Sequence, residues 1–213
     1  MKSFLAVAAL GVTAFALTHA GGTVKPSKVG IKPGGVEMSA KAALKPKPGD
    51  ELAEFSGGCF WGTEEAFRKV PGVVATAVGY TGGHTKNPTY EEVCTHTTGH
   101  AETVLVEFDP KKVSYGKLVD YFWAVHDPAQ ADGQGPNLGD NYRSAIWTFG
   151  PEQQKTAAAS LAAQERKEHS KFVTTVKPTE TFWLAERYHQ QYDEKTGTNS
   201  CPPPRLPTNL VKG

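Results

Sequence analysis

Cysteine is scarce in this sequence, with only Cys59, Cys94 and Cys201 among 213 residues. Three is an odd number and too small for a domain held together by disulfides. The Cys-X-X-Cys pair typical of thiol-exchange proteins is also missing. The three thiols are therefore better explained as single reactive or packed cysteines than as a disulfide framework.

An excess of charge of either sign is lacking as well. The chain has 23 lysines and arginines against 22 aspartates and glutamates, for a net charge of +1. Because the charges are evenly mixed, we expect no nucleic acid among the main partners. The sequence has no internal repeats, and its length suits one domain with a sizeable core, plus extensions.

Only one long apolar run is present, over residues 4–17, and it is too short for a comfortable membrane span. It follows Lys2 and precedes the small-residue segment Thr18-His19-Ala20, which is the pattern of an export signal. We expect residues 1–20 to be a cleaved signal peptide and the mature protein to be periplasmic or secreted. An uncleaved anchor is the alternative.

Residues 21–50 carry four prolines, six glycines and six lysines, without an apolar period long enough for a helix or strand. This composition predicts a flexible basic linker. Attraction to anionic lipids is a second interpretation of its lysines, but a solvated linker explains them more simply. The folded domain, including a C-terminal tail, is expected over residues 51–213.

Strand-like and helix-like segments alternate after the linker. Pro71-Gly72 ends one helical pattern, Ser114 is placed to cap another, and Pro151 is placed to open a third. The pattern predicts strands over 51–56, 73–80, 102–108, 143–149 and 172–177, and helices over 61–70, 115–126 and 151–171. A glycine-rich loop is expected over 127–142, and an extended, polar chain after Tyr192. These segments indicate an α+β domain with helices on a largely antiparallel sheet.

Cys59 lies between a predicted strand and the first turn of a predicted helix. Unpaired backbone N–H groups and the positive helix end stabilise a thiolate there, so we expect a lowered thiol pKa. Gly57 and Gly58 allow a tight turn, and Phe60 and Trp61 offer an apolar wall. The same pattern also fits a small buried cysteine among ordinary packing aromatics.

Further polar residues lie at junctions between loops and regular elements. Glu102 stands where a glycine-containing loop enters a strand, and Tyr90 and Tyr142 lie at similar junctions. Together with the cysteine motif, these segments resemble the A-type peptide methionine sulfoxide reductases over residues 51–201. The matching segments, in chain order, are GCFWG (58–62), GYTGG (79–83), PTYEEVC (88–94), TGHAE (98–102), HDPAQ (126–130), YRSAI (142–146) and HQQY (189–192).

The resemblance implies an enzyme that reduces methionine S-sulfoxide, both free and in proteins, and so repairs oxidised proteins. It implies a two-layer α/β sandwich with a ferredoxin-like core and a coil-rich C-terminal tail. Cys59 matches the family nucleophile, and Glu102 matches the acid that protonates the sulfoxide oxygen. Cys201 lies nine residues after Tyr192, in the place of the resolving cysteine that forms a disulfide with Cys59.

The resemblance also implies which residues bind the substrate. Tyrosines hold the sulfoxide oxygen, aromatics receive the methyl group, and a loop residue that is usually aspartate is asparagine in this chain. These positions are Phe60, Trp61, Tyr90, Tyr142 and Asn137. No bound cofactor or metal is expected. Electrons are expected from an external dithiol, thioredoxin or a thioredoxin-like protein, and we expect a monomer.

Other functions remain open at this level. A cysteine hydrolase would pair Cys59 with a histidine base such as His100, His126 or His189. A thiol carrier would use the cysteines only for exchange. A metal could be imagined between Cys94, His96 and His100, but their loose spacing and the lack of a fourth ligand disfavour it, and a packed thiol is the preferred interpretation of Cys94.

Overall fold

The computed structural model describes residues 45–201. The predicted signal peptide, most of the linker and the residues after Cys201 lie outside the described part of the chain. Within that part, no helix is both long and apolar enough to cross a bilayer.

Eight strands and five α-helices build the described domain. The strands are β1 (Glu51–Gly57), β2 (Val73–Thr81), β3 (Ala101–Phe108), β4 (Gly133–Gln134), β5 (Asn137–Leu138), β6 (Ser144–Thr148), β7 (Thr175–Pro178) and β8 (Trp183–Leu184). The helices are α1 (Phe60–Arg68), α2 (Tyr90–Val93), α3 (Tyr115–Val125), α4 (Pro151–Glu168) and α5 (Tyr192–Thr196), with a 3₁₀ turn at Asp140–Tyr142.

Six strands form one mixed sheet in the order β7-β6-β1-β3-β2-β8. All neighbours are antiparallel except β6 and β7. The four inner strands, with α1 after β1 and α3 after β3, have the βαββαβ order of a ferredoxin-like core. This confirms the expected α+β sandwich with a mainly antiparallel sheet.

The hydrophobic core lies mainly between the sheet and its helices. Phe55 of β1 stacks on Phe67 of α1 at 4.7 Å and on Phe122 of α3 at 5.2 Å between ring centroids. Leu105 points to the opposite face of the sheet, where Phe182 from the segment before β8 covers it. Both faces are thus buried, which explains why every residue of β3 is buried and not only alternate ones.

Most predicted elements occur within a few residues of their expected bounds, but three expectations are corrected. Residues after Tyr192 are not extended at first, because they form α5, which Gly197 ends in a left-handed conformation. The 127–142 loop contains the small β4–β5 hairpin and the 3₁₀ turn. Strand β7 begins at Thr175 and not at 172, because the N–H of Phe172 donates to Glu165 and that of Val173 to Pro128.

The topology brings several loop junctions to one end of the sheet. Gly57, the last residue of β1, pairs with Ser144 at the start of β6, and Tyr80 near the end of β2 pairs with Glu102. Because these pairings are antiparallel, the end of β1 lies beside the beginnings of β3 and β6. The residues that precede or follow those strand ends, including Cys59 and Tyr142, therefore gather there.

Candidate active site

Cys59 occupies the N-cap position of α1, and its side chain makes no capping hydrogen bond. The turn before it depends on Gly58, whose φ is +91° and whose missing Cβ would lie 2.5 Å from the side chain of Gln134. Any larger residue there would be strained in its backbone and would also overlap the β4–β5 hairpin. The half-buried thiol is therefore presented at the helix start by a turn that only glycine permits.

Glu102 is the acid closest to this helix start. Its carboxylate oxygen Oε2 accepts the backbone N–H of Phe60 at 2.9 Å, although the two residues are 42 positions apart. The side chain is 2% exposed, and burial raises its pKa to about 8 in spite of that hydrogen bond. Glu102 is therefore mostly protonated at neutral pH, and it can donate a proton one residue away from Cys59.

Tyr90 and Tyr142 are half-buried near the same carboxyl. Burial, and then the charge of Glu102, raise the pKa of Tyr142 to about 12. The pKa of Tyr90 is raised too, first by burial and then by a hydrogen bond with the thiol of Cys94. Both phenols keep their protons at neutral pH and can donate to a nearby oxygen. Cys94, expected as an ordinary packed thiol, lies at the edge of this group.

The two aromatics after Cys59 have different environments. Phe60 is 1% exposed, with its ring 5.8 Å from that of Tyr80, and so packs behind the site. Trp61 is half-buried and stacks on Tyr192 with ring centroids 3.9 Å apart and planes 10° apart. Trp61 therefore forms the accessible part of the apolar wall. Its indole ring packs against Tyr192, the last residue of the HQQY motif (189–192).

His189 holds the indole of Trp61, a contact that the sequence did not predict. Its Nδ1 accepts the indole N–H at 3.0 Å, and its ring lies 4.5 Å from that of Tyr90. His189 is fully buried, which lowers its pKa to about 4, so it is neutral at physiological pH. Within residues 45–201 its Nε2 has no hydrogen-bond partner, and it lies 3.8 Å from Glu186, which accepts the N–H of Tyr90 through its other oxygen.

Cys201 lies against the same helix start. The missing Cβ of Gly62 would be 1.8 Å from the backbone oxygen of Cys201, so only glycine lets the tail approach α1 this closely. The side-chain Nδ2 of Asn137 donates to the Cys201 sulfur at 3.7 Å. The N–H of Ser200 bonds to Asp193 of α5. The structure thus brings the expected resolving cysteine to the expected nucleophile, with both thiols free.

The expected lowering of the Cys59 pKa is not what this arrangement produces. A hydrogen bond with Cys201 raises the pKa of Cys59, and burial and the charge of Glu102 raise it further. The same hydrogen bond lowers the pKa of Cys201 to about 7. The two adjacent sulfurs therefore titrate as a pair. Their hydrogen bond favours the thiol form of Cys59 and the thiolate form of Cys201.

The three histidines considered as bases for a cysteine hydrolase are engaged elsewhere. Their ring nitrogens bond to Gly83 and Thr85 for His100, to Phe122 and Ser144 for His126, and to Trp61 for His189. None of these bonds involves the Cys59 thiol, so the geometry gives no support to a hydrolase. Residues 45–201 contain no group of three or more potential metal ligands.

The bond between Trp61 and His189 can be tested by NMR. In His189→Phe the ring volume is kept but the acceptor is lost, so the Trp61 indole ¹H–¹⁵N resonance should shift and exchange faster with water. In the wild type the same change should appear only as the pH falls towards about 4, where His189 becomes protonated and Nδ1 no longer accepts.

Trp123 and Trp147 provide internal controls in the same spectrum, because their indoles donate to Ser160 and Ser56 and not to a histidine. Their resonances should stay unchanged in the variant. A Trp61 resonance that is identical in His189→Phe and wild type would contradict the assigned contact.

Comparison with known proteins agrees with the architecture and with the family that the sequence motifs resemble. The family model for peptide methionine sulfoxide reductase matches residues 51–208. The "Peptide methionine sulfoxide reductase MsrA" of Geobacter sulfurreducens is 54% identical over 153 residues, which are 71% of this chain and 94% of that protein. "Peptide methionine sulfoxide reductase A2" of Arabidopsis thaliana is 51% identical over 71% of this chain and 70% of its own.

Two solved structures share the fold. Mxr1 from Saccharomyces cerevisiae in its reduced form has a TM-score of 0.73 and 31% identity, covering 80% of this chain and 98% of its own. Methionine sulfoxide reductase A of Corynebacterium diphtheriae has a TM-score of 0.68 and 36% identity, covering 80% of this chain and 85% of its own. With more than half of its length matched and relatives above 50% identity, this chain belongs to the peptide methionine sulfoxide reductase family, in its A-type branch.

Proposed function

We propose that Cys59 is the nucleophile, Glu102 the general acid and Cys201 the resolving thiol with which this enzyme reduces methionine S-sulfoxide. The substrate is oxidised methionine, free or in proteins, and the cellular role is protein repair. The observation that supports these roles best is the hydrogen bond from the Phe60 N–H to Glu102, which holds a protonated carboxyl one residue from the thiol.

In the first step the Cys59 sulfur attacks the sulfur of the sulfoxide. Oxygen is a poor leaving group as a bare anion, so a proton donor must act in the transition state. A carboxyl whose pKa is raised to about 8 by burial is mostly protonated at neutral pH and is suited to this task. Once protonated, the oxygen leaves as water and the substrate S–O bond breaks, while the Cys59 sulfur is bonded to the methionine sulfur. Water then attacks the Cys59 sulfur, methionine leaves as the S–S bond breaks, and Cys59 is left as a sulfenic acid, which is a reversible oxidation state of the thiol.

Substrate recognition divides between polar and apolar groups. The hydroxyls of Tyr90 and Tyr142 are protonated donors near Glu102, and an oxygen gaining negative charge is stabilised by such oriented donors. Trp61 supplies an apolar surface for the substrate methyl group, with Phe60 packed behind it. The two sulfoxide epimers differ in which substituent of the sulfur faces the apolar wall when the oxygen is bound by the tyrosines. This arrangement therefore favours one epimer, the S epimer.

The second step forms a disulfide between Cys59 and Cys201. This step is supported by the contact of Cys201 with α1 at Gly62 and by the hydrogen bond between the Cys201 and Cys59 thiols. Because Cys201 occupies space beside the half-buried Cys59 thiol, the proposed cycle has the tail move away before the substrate binds and return afterwards. An external dithiol, thioredoxin or a thioredoxin-like protein, then reopens the disulfide.

We also propose that the protein is exported, because residues 1–20 have the composition of a signal peptide. The electrons would then have to be delivered outside the cytoplasm. Mass spectrometry of protein from the native envelope or medium should find an N-terminus near Gly21. Recovery of only full-length cytoplasmic protein would contradict export without affecting the proposed chemistry.

Replacing Glu102 tests the general acid. Glu102→Gln keeps the size and an acceptor for the Phe60 N–H but cannot release a proton, so single-turnover methionine formation should slow by roughly 10²–10⁴-fold. The wild-type rate should fall as the pH rises through about 8, where Glu102 loses its proton, and this decline should be absent in the variant.

Glu107→Gln is the matched control, because Glu107 is also a buried glutamate of β3 but bonds to Lys47 and not to the helix start. It should retain nearly the wild-type rate. A near-normal rate in Glu102→Gln would remove that residue from the proposed role.

The three cysteines should fail in different ways. Cys59→Ser should lose all turnover, because a serine alkoxide is inaccessible at neutral pH. Cys201→Ser should release about one methionine per enzyme and then stop with a dithiol protein, since its sulfenic acid cannot be resolved. A small penetrating thiol should restore its turnover.

Cys94→Ser should keep multiple turnover, measured as methionine released over time. If Cys94→Ser blocked recycling and Cys201→Ser did not, the resolving role would belong to Cys94.

A further inference from the structure

Asn137 lies on a well-supported loop beside the two redox thiols. The β4–β5 hairpin that carries it is held by Gln134, whose side chain bonds both the N–H and the carbonyl of Asp127. The hairpin turn is closed by Gln130, which makes two bonds with Gly135. The backbone that carries Asn137 is thus held by the hairpin and does not depend on the tail.

The amide of Asn137 contacts the tail at a reacting atom. Its Nδ2 lies 3.7 Å from the Cys201 sulfur, in a half-buried setting. A thiolate only accepts hydrogen bonds, so the NH₂ end of the amide, and not its carbonyl, is the end that stabilises it. An aspartate at position 137 would present acceptors and a negative charge to that sulfur.

We infer that Asn137 is a catalytic residue of the disulfide-forming step, in which its side-chain amide donates a hydrogen bond to the attacking thiolate of Cys201. This inference rests on the proposed function of Cys201 as the resolving thiol. It assigns to Asn137 a role different from the substrate contact implied by the family pattern. It also explains chemically why an asparagine suits position 137, since its amide can donate a hydrogen bond and an aspartate cannot.

The step balances with groups that the enzyme holds. Cys201, having released its proton to solvent, attacks the sulfenic sulfur of Cys59, so that an S–S bond forms and the S–O bond breaks. The hydroxyl leaves as water after taking a proton from Glu102, which solvent then reprotonates. Cys201 is oxidised and the sulfenic sulfur of Cys59 is reduced, so no additional oxidant or reductant is needed.

Several ionisable groups face Cys201 and set its pH dependence together. In the reduced enzyme the hydrogen bond with the Cys59 thiol lowers the pKa of Cys201, burial raises it, the Asn137 hydrogen bond lowers it, and Asp193 of α5 raises it, for a result of about 7. Once Cys59 is a sulfenic acid, the contribution of its thiol is lost and the Asn137 hydrogen bond remains as a contact that favours the Cys201 thiolate. The carboxyl of Glu102 also senses the charge on Cys201. Removing the Asn137 donor should therefore shift the pH at which disulfide formation becomes fast, because fewer molecules carry the attacking thiolate.

The experiment uses the full-length reduced enzyme and one equivalent of methionine S-sulfoxide, without reductant. Acid quenching and alkylation, followed by mass spectrometry, give the rate of Cys59–Cys201 disulfide formation between pH 5.5 and 9. In Asn137→Asp the midpoint of the pH–rate curve should rise by about one pH unit, so the rate at pH values well below the midpoint should fall about tenfold and recover at higher pH. Asn137→Ala, which adds no charge, should shift it less in the same direction.

Leu138→Asp is the matched control, since it adds the same charge at the neighbouring position, where the side chain is 59% exposed. It should leave the midpoint unchanged. An unchanged midpoint in Asn137→Asp, or an equal shift in Leu138→Asp, would overturn the inference while leaving the disulfide pathway intact. A wild-type enzyme that released methionine without forming the Cys59–Cys201 disulfide would overturn both.

Discussion

The hydrogen bond between the N–H of Phe60 and the carboxyl of Glu102 links the start of α1 to the start of β3. It uses one of the backbone donors that every helix leaves unpaired at its beginning, and so places a buried acid where the thiol is presented. Burial alone would leave an ionised carboxylate without solvation, and one N–H does not offset that cost. The acid is therefore held protonated, and the turn at Gly58, the sheet register and the aromatic packing all serve to keep it in this place.

Much of the fold is visible in the sequence because it depends on local signals. The Ser114 cap, the Pro151 helix start and the Pro71-Gly72 helix end mark elements whose bounds the structure reproduces closely. Helix α5 was missed, because its five residues are polar and its support is distant. That support is the stacking of Tyr192 on Trp61, two residues that are far apart in the sequence.

The site, too, has features that neighbouring residues predict and contacts that they do not. A cysteine after two glycines and before a helix can be recognised from neighbouring residues, and the motif pattern supplies the acid and the tyrosines. The bond between Trp61 and His189 joins residues 128 positions apart, and no local pattern predicts it. The direction of the Cys59 pKa was wrong for a related reason. A helix start lowers a thiol pKa, but a second thiol brought there by the tail reverses the effect on Cys59.

In the proposed cycle, the close approach of Cys201 to Gly62 makes the tail a competitor of the substrate. Both must occupy the space beside Cys59, so the apparent affinity for methionine sulfoxide equals the intrinsic affinity multiplied by the fraction of molecules with an undocked tail. The tail is tethered, so its local concentration is constant however dilute the substrate. Tighter docking would speed resolution and weaken substrate capture together. The strength of this one contact thus sets a compromise between the two halves of the catalytic cycle.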